Sequence, residues 1–350
     1  MAGLNANYAL AAKVRAMYGR RLMPSDYREL LRKQSVNEVA AYLKQQPGYN
    51  ALLSDTNENL VHRGQLESIL RRQLFEEYIR MSFFIDESER DFYEYVVTDM
   101  EIDEILSCIR FINAGRQGEY IFSLPSFFAK RASFDLYALA KVKTFPDLIE
   151  FLQGTPYQAI LKGFEADEAG KIDSIRIEIA FKRYFYDRIF SLIDSTYSGE
   201  VRGDILNSFG MDIDLENLMI ILRLRKYFNA TNEYIRTLLL PYFYRLSKKD
   251  IDHILEETDA SETMKAIFDT YYGRKSFKKH SFDFLEKYGL QAQYEYHKKI
   301  LMFANSTPEL LTSYMQLKGI ELNNLINIIE GIRYALQPAE IGKLLIGMEE

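Results

Sequence analysis

The sequence of 350 residues contains no tryptophan, a single cysteine and only four histidines. One cysteine excludes a disulfide within the chain and is typical of proteins from a reducing compartment. Because histidine and cysteine are so few and so scattered, we expect no zinc site. The longest stretch without Asp, Glu, Lys or Arg covers residues 1–12, whereas a membrane-spanning helix needs about 20 apolar residues. The sequence therefore predicts neither a disulfide-rich domain nor a membrane-spanning protein.

Apolar and aromatic residues are abundant instead. Hydrophobic residues make up 47% of the chain, with 25 tyrosines and 23 phenylalanines, which is enough for a sizeable core. The 44 basic and 50 acidic residues give a net charge of −6, and this mild acidity argues against a nucleic-acid partner. No basic segment precedes an apolar run at the N-terminus, as it would in a signal peptide. We therefore expect a globular, cytoplasmic protein.

Helical periodicity dominates the chain. Apolar residues recur at spacings of three and four in Leu66–Ile85, Ile172–Ile193 and Phe282–Phe303, a pattern typical of helices with one buried face. The alternation that marks strands hardly occurs, and the Asn-Gly and Asp-Gly dipeptides of tight hairpins are missing. The predicted fold class is therefore all-α.

A helix-capping pattern recurs three times. In each case a hydroxyl residue stands three positions before an acid, as in a capping box; the segments are Ser35–Glu38, Thr144–Asp147 and Ser247–Asp250. The first two copies also share a turn that ends in tyrosine, Pro47-Gly48-Tyr49 and Thr155-Pro156-Tyr157. The three hydroxyl residues are 109 and 103 residues apart. This spacing indicates a repeat of about 110 residues.

A second marker agrees with this period. Glu101, Asp214 and Glu321 each begin a similar acidic and apolar pattern, and we expect each to open a helix. They are 113 and 107 residues apart. Gly and polar clusters at Asn113–Gly118 and Asn229–Asn232 fit joints between copies. The two markers together predict three helical lobes, residues 1–115, 116–228 and 229–350.

Patterns of catalytic or ligand-binding sites are scarce. No phosphate loop, no His-Glu-x-x-His and no Gly-x-Ser-x-Gly elbow occurs. Asp212–Glu216 starts like a calcium loop, but Asn217 stands where that loop needs glycine. The single thiol, Cys108, lies in an apolar stretch and is expected to be a packed residue. We predict no catalytic residue, no cofactor, no metal and no small-molecule substrate.

Two charged clusters have more than one interpretation. The four acids of Asp86–Asp91 could bind magnesium, as in all-helical prenyl-transfer enzymes, but the Asp-Asp-x-x-Asp run is absent and a solvated loop is favoured. The densest basic segment is either solvent-facing or a docking surface for an acidic protein or lipid headgroups. Its basic residues are Arg274, Lys275, Lys278 and Lys279.

Motifs near both ends of the chain carry a resemblance to a known family. The opening helix contains Tyr8-Ala-Leu-Ala-Ala-Lys-Val-Arg15, and the closing segment contains Pro308-Glu309, Tyr314, Lys318, Glu321 and Asn324 at fixed spacings. In order and spacing, over essentially the whole length, the chain resembles the C-type subunit of A/V-type rotary ATPases, called the d subunit in the eukaryotic enzyme. The opening is more similar to prokaryotic members.

The resemblance implies a non-catalytic part of the central stalk. Members of that family form a hollow funnel of three helical lobes about a pseudo-threefold axis, which receives the central axle and sits on the cytoplasmic face of the membrane proteolipid ring. Such a funnel is peripheral to the membrane and transmits torque between ATP synthesis or hydrolysis and the transport of ions such as protons. The candidate contacts with these partners are Arg15, Arg274, Lys275, Lys278 and Lys279.

Two other functions are compatible with the residues. A generic helical scaffold outside any ATPase would share the repeat but bind neither axle nor ring. A helical metal-dependent enzyme would bind divalent metal through Asp86–Asp91.

Overall fold

A computed structural model describes residues 2–167, 171–280, 285–304 and 306–348, and within these ranges it contains helices and no strand. Helices account for 71% of the structure, so the prediction of an all-α fold is confirmed. The α-helices are α1 (Ala2–Tyr18), α2 (Pro24–Leu30), α3 (Val36–Lys44), α4 (Arg63–Ser82), α5 (Arg90–Tyr93), α6 (Tyr95–Asn113), α7 (Leu136–Leu139), α8 (Phe145–Phe151), α9 (Pro156–Leu161), α10 (Ser174–Thr196), α11 (Gly199–Phe228), α12 (Asn232–Leu238), α13 (Lys248–Glu256), α14 (Ala260–Phe268), α15 (Tyr271–Lys275), α16 (Leu285–Phe303), α17 (Thr307–Arg333) and α18 (Pro338–Gly342). Short 3₁₀ helices cover Glu87–Glu89, Gln117–Ser123, Ser126–Phe128 and Phe277–Lys279.

The three segments with helical periodicity are helices. They correspond to α4, α10 and α16, with ends within about three residues of the predicted ones; residues 282–284 of the third segment lie outside the described ranges. Among the described residues, no helix is both long enough and apolar enough to cross a bilayer.

The chain divides into two compact units. Unit 1 combines Met1–Phe84, Ser198–Thr237 and Tyr242–Glu350, and unit 2 combines Ile85–Tyr197 and Leu238–Pro241. The three predicted lobes and the funnel stay predictions.

In unit 1 the two ends of the chain build one hydrophobic core. Helices α1, α3 and α4 all pack on α17. Burying each large apolar side chain contributes roughly 1.5–3 kcal/mol, so this core binds the N-terminal segment firmly to the C-terminal helix. The core includes Leu22, Leu30, Val39, Leu43, Leu66 and Leu70 from the first part and Leu322, Leu325, Ile328, Ile329, Ile341 and Leu345 from the last.

The core of unit 2 is rich in aromatic rings. The ring of Phe92 meets those of Tyr93 and Tyr197 edge to face, at centroid distances of 5.1 and 5.2 Å. Tyr157 makes similar edge contacts with Phe181 and other rings. Such contacts add about 0.5–1.5 kcal/mol per pair to the effect of burial. Tyrosine and phenylalanine thus supply bulky core residues in a chain that has no tryptophan.

Three long helices end in the same way. Just after the last turn of α6, α11 and α17, one residue has a left-handed conformation: Gly115, Asn229 and Ala335 have φ values of 65°, 45° and 53°. In each case the next residue donates its backbone N–H to a carbonyl five or six positions earlier, at 2.9–3.2 Å. This cap satisfies carbonyls that the helix leaves free. The first two caps lie in the polar clusters that the sequence marked as joints.

Replacing Ala335 by glycine is expected to raise the free energy of unfolding by roughly 0.5 kcal/mol. A left-handed conformation strains any residue with a Cβ by about 1–2 kcal/mol, and glycine relieves this strain. Glycine also has greater conformational freedom in the unfolded chain, which offsets part of the gain in stability. Urea denaturation measures the change. Gly115→Ala is the matched control: a Cβ there meets open space, so only backbone strain acts and stability should fall. A loss of stability in Ala335→Gly would contradict the prediction.

Candidate functional site: three buried carboxylates and a basic surface

The three marker acids lie within long helices. Glu101 is on α6, Asp214 on α11 and Glu321 on α17, and these helices begin 6, 15 and 14 residues earlier. Their exposed fractions are only 4%, 0% and 6%. The prediction that each acid opens a helix is therefore wrong. The acids face other segments of the chain and accept hydrogen bonds from them. An acid at the start of a helix accepts hydrogen bonds from the free N–H groups of its own first turn instead.

Asp214 has the richest set of partners. Its carboxylate accepts the backbone N–H groups of residues 244–246 at 2.6–3.0 Å and the hydroxyl of Tyr272 at 2.8 Å. Gly210, one turn earlier on α11, makes room for this stretch of chain, because a Cβ there would lie 2.7 Å from the ring of Tyr244. Desolvation raises the pKa of Asp214, while each of these hydrogen bonds lowers it.

Glu101 repeats this arrangement in unit 2. Its carboxylate accepts the backbone N–H of Ser133 and, at 2.5 Å, the hydroxyl of Tyr157. Burial raises the pKa of Tyr157, and the bond to Glu101 raises it further. The phenol therefore stays protonated and donates at neutral pH.

Glu321 forms the third site, in unit 1. It accepts the backbone N–H of Leu22 at 2.9 Å and the hydroxyl of Tyr49 at 2.5 Å. Burial, followed by the charge of Glu321, raises the pKa of Tyr49. Lys318, one turn earlier on α17, lies 2.5 Å from the same carboxylate. A cavity of about 40 Å³ beside Glu321 has room for one or two water molecules.

The sequence contained a signal for these pairs that the two markers alone did not reveal. The partner tyrosine follows Glu101 by 56 residues and Asp214 by 58. For Glu321 the equivalent tyrosine is Tyr49, near the other end of the chain. The three acids and two of the tyrosines, Tyr49 and Tyr157, are part of the repeated sequence patterns. Predicting that an acid contacts a tyrosine would require the same spacing between them in every copy, and Glu321 with Tyr49 does not keep that spacing.

The three predicted caps exist, but one belongs to a different helix of the repeat. Ser35, Thr144 and Ser247 each accept the N–H of the residue three positions later. Ser247 directly follows the amides bound by Asp214, just as α2 follows Leu22, which Glu321 binds. In its place relative to the buried acid, α13 therefore matches α2, whereas Ser35 caps α3. The threefold repeat stays a prediction.

Two more of the signature residues hold α17 in unit 1. The hydroxyl of Tyr314 donates to Glu77 on α4 at 2.7 Å. The amide of Asn324 donates to the carbonyl of Ile346 and accepts its N–H, both at 2.9 Å. With Lys318 and Glu321, these residues link α17 to segments from both ends of the chain. The structure thus gives four signature positions a structural role.

The other signature positions lie elsewhere. Arg15 on α1 donates to the carbonyls of Leu301 and Ala304, at 3.2 and 2.6 Å, where α16 ends; a cation there is favourable because helix C-termini carry partial negative charge. Pro308 and Glu309 are buried in the first turn of α17. Tyr8, on α1, is 70% exposed.

The four basic residues of the predicted docking segment are on the surface of unit 1. Arg274 donates to the backbone carbonyl of Asp269, and the ammonium of Lys278 lies 3.1 Å from the carboxylate of the same residue. Lys275 and Lys279 are exposed. The fully buried ring of Phe277 fixes this segment to the fold. Its role as a contact with a partner stays a prediction.

The acidic clusters adopt structures that differ from metal loops. Asp86–Asp91 contributes a 3₁₀ turn and the start of α5, where a solvated loop was favoured. Asp212–Glu216 is an inner turn of α11. Across the parts of the chain that the structure describes, no group of three or more His, Cys, Asp or Glu residues is arranged to hold a metal ion. A polar hollow of about 500 Å³ in unit 1 is lined by residues of both charges, among them Lys13, Arg20, Arg80, Lys318, Glu76 and Glu77.

Comparison with known proteins identifies relatives along the whole chain. The profile of the family described as "ATP synthase (C/AC39) subunit" matches residues 10–344. The C subunit of the A-type ATP synthase of Methanosphaera stadtmanae is 25% identical over 263 residues, which cover 75% of this chain and 65% of that protein. The equivalent protein of Methanothermobacter thermautotrophicus is 26% identical, with coverages of 75% and 66%. That of Methanocaldococcus jannaschii is 24% identical, with coverages of 96% and 85%.

The match to the first two relatives spans just under two thirds of their length, whereas the family profile spans nearly all of this chain. The all-helical fold is consistent with the resemblance noted at both ends of the sequence. The chain belongs to the ATP synthase C/AC39 subunit family, a family of non-catalytic subunits of rotary ATPases.

Proposed function

We propose that this chain is the rotor adaptor of a prokaryotic A/V-type ATPase, coupling the central axle to the membrane proteolipid ring on the cytoplasmic side. The observation that carries this proposal is the family match from residue 10 to residue 344, which includes the closing signature segment and Arg15 of the opening one. In this role the chain is a hollow, three-lobed helical funnel. It binds axle and ring as partners and transmits torque between ATP synthesis or hydrolysis and ion transport.

The buried carboxylates support a mechanical role. Each one ties a long helix to a neighbouring segment through at least one backbone amide and one phenol. Buried hydrogen bonds are directional and costly to break, so they resist sliding of a helix along its neighbour. A part that transmits torque needs this kind of resistance, and hydrophobic packing alone provides less of it because packing is non-directional.

The basic surface supplies a candidate contact. Arg274, Lys275, Lys278 and Lys279 lie together on a chain whose net charge is −6. A cationic patch of this kind attracts acidic partner surfaces, and salt weakens the attraction. We propose that it contacts an acidic face of the axle or the ring. Arg15 is engaged in capping α16, so its proposed contact with a partner would be made alongside that cap.

Co-purification tests the proposal. Tagged full-length chain is expected to retain the axle subunits and the proteolipid ring of its own organism at near-physiological salt. The complex in vesicles should pump ions on addition of ATP, and omission of this chain should abolish pumping while leaving ATP hydrolysis by the catalytic head. If neither axle nor ring is retained, the rotor assignment fails and the generic helical scaffold replaces it.

The basic surface has a matched control. Lys275→Glu with Lys279→Glu is expected to weaken retention of one partner at least roughly tenfold at low salt. The same double charge reversal at Lys248 and Lys249, which are exposed on α13, should leave retention within about twofold. Equal losses in both double variants would remove the basic surface from the proposal without affecting the rotor assignment.

A further inference from the structure

The polar hollow in unit 1 has the size of a small-molecule site. Its volume is about 500 Å³, and ligand pockets in proteins typically have roughly 300–1,000 Å³. The turn at residues 47–52 forms one wall and is fixed by close contacts. A Cβ at Gly48 would lie 2.7 Å from the backbone oxygen of Arg20, and the amide of Gln73 donates to the carbonyl of Gly48 at 2.8 Å. The turn is therefore held against α1 and α4, and the hollow is preformed.

Basic side chains from three helices line the polar hollow. They are Lys13 and Arg20 on α1, Arg80 on α4 and Lys318 on α17. Lys318 is paired with the buried carboxylate of Glu321. The other three form no salt bridge with any residue that the structure describes: the ammonium of Lys13 lies 4.2 Å from the ring centroid of Phe84, and Nε of Arg80 donates only to a backbone carbonyl of its own helix. Three cations of the hollow are thus available to an anion.

The two acids in the walls have partners of their own. Glu76 pairs at 2.6 Å with Arg72, which lies outside the hollow. Glu77 accepts the hydroxyl of Tyr314 at 2.7 Å and the amide of Gln73 at 3.0 Å. The four basic and two acidic lining residues give the hollow a net charge of +2, on a chain whose net charge is −6. A small concave site of this charge concentrates anions.

The spacing of the cations indicates the kind of anion. Lys13 and Arg20 are seven residues apart, so they lie on one face of α1 with about 10 Å between their Cα atoms. Arg80 reaches the hollow from α4. A single carboxylate has one charge and two oxygens, which is too little for three cations. Linked phosphate groups carry several charges and a row of oxygens, which arginine binds well through its planar guanidinium.

We infer that the polar hollow is a binding site for a small soluble anion with two or more linked phosphate groups. Arg20 and Arg80 donate hydrogen bonds to phosphate oxygens from two different helices, and Lys13 adds a third positive charge. The anion is a ligand that is not chemically changed. Because it contacts α1 and α4 together, its binding stabilises the folded form of unit 1.

Calorimetric titration of the full-length chain with pyrophosphate tests the site. The wild-type chain is expected to bind pyrophosphate saturably with a Kd below about 1 mM, and inorganic phosphate at least about fivefold more weakly at equal ionic strength. Arg20→Ala and Arg80→Ala should each weaken pyrophosphate binding about tenfold or more, because each removes a charge-assisted hydrogen bond. Absence of saturable binding, or equal binding of the two anions, would reject the site.

Arg28→Ala on α2 and Arg71→Ala on α4 are the matched controls, because each removes an exposed arginine that does not line the hollow. Both should bind pyrophosphate within about twofold of the wild type. Ala16→Leu narrows the hollow from α1 without a change of charge, and it should weaken binding at least about fivefold. Equal losses in the control and hollow variants would assign the attraction to the general surface charge. Unchanged affinity in Ala16→Leu would place the anion outside the hollow, and either result would overturn the inference.

Discussion

Replacing Asp214 by alanine is expected to lower the free energy of unfolding by about 3–5 kcal/mol. The change leaves three consecutive backbone N–H groups and the hydroxyl of Tyr272 without their acceptor, in a place with no exposure to water. Each buried donor without a partner costs about 1–3 kcal/mol, and the sum is smaller than four separate losses because the segment can relax. The shift of the urea midpoint at constant slope measures the loss.

Tyr272→Phe is the control for this prediction, because it removes one donor and leaves the carboxylate and its three amides in place. Its expected cost is roughly 1 kcal/mol. A loss for Asp214→Ala no greater than that of Tyr272→Phe would mean that the three amides find other acceptors. In that case Asp214 would not organise the backbone of residues 244–246.

Replacing Glu309 by glutamine is expected to stabilise the protein at pH 8 by about 1–2 kcal/mol. Desolvation, and then the negative charge of Asp204, raises the pKa of Glu309 to about 7. The folded state therefore binds this proton more tightly than the unfolded chain, so stability falls as the pH rises from the ordinary pKa of about 4.5 through 7. The partial positive charge at the N-terminus of α17 favours the ionised carboxylate of Glu309. We therefore expect a smaller change in stability than the full pKa shift would give.

The test of Glu309 is the pH dependence of the difference between variant and wild type. Glutamine cannot ionise, so the gain should be largest above pH 7 and vanish below about pH 4.5. Glu165→Gln, at an exposed position, should change stability by no more than a few tenths of a kcal/mol at any pH. A gain that does not depend on pH would assign the effect to packing instead of ionisation.

The sequence predicts local structure in this chain better than long-range contacts. Apolar periodicity located α4 and α10, and hydroxyl–acid pairs located the starts of α3, α8 and α13, because each of these signals acts within about four residues. The marker acids were recognised as repeated, yet their place within the helices was mistaken, since an acid before apolar residues looks the same in the first turn and in an inner turn. Their partners lie 56 residues away or at the opposite end of the chain, beyond any local pattern.

The site residues show the same difference between local patterns, which the sequence reveals, and long-range contacts, which it does not. The resemblance singled out Tyr314, Lys318, Glu321 and Asn324 by spacing on one helix, and the structure connects all four to other parts of unit 1. Arg15 caps α16 through hydrogen bonds to Leu301 and Ala304, which follow it in the sequence by 286 and 289 positions. Its positive charge was visible in the sequence, but its position beside a helix C-terminus depends on the packing of α1.

Burial protects the single cysteine of this chain from chemical labelling while the protein is folded. Cys108 on α6 is 2% exposed, and burial raises the pKa of its thiol to about 12, so a thiol reagent has almost no thiolate to attack in the folded state. Labelling at this position therefore reports the opening of α6 in unit 2. A cysteine introduced on the surface would be the one reactive thiol of the molecule, and no native cysteine would have to be removed to attach a fluorophore or a cross-linker there.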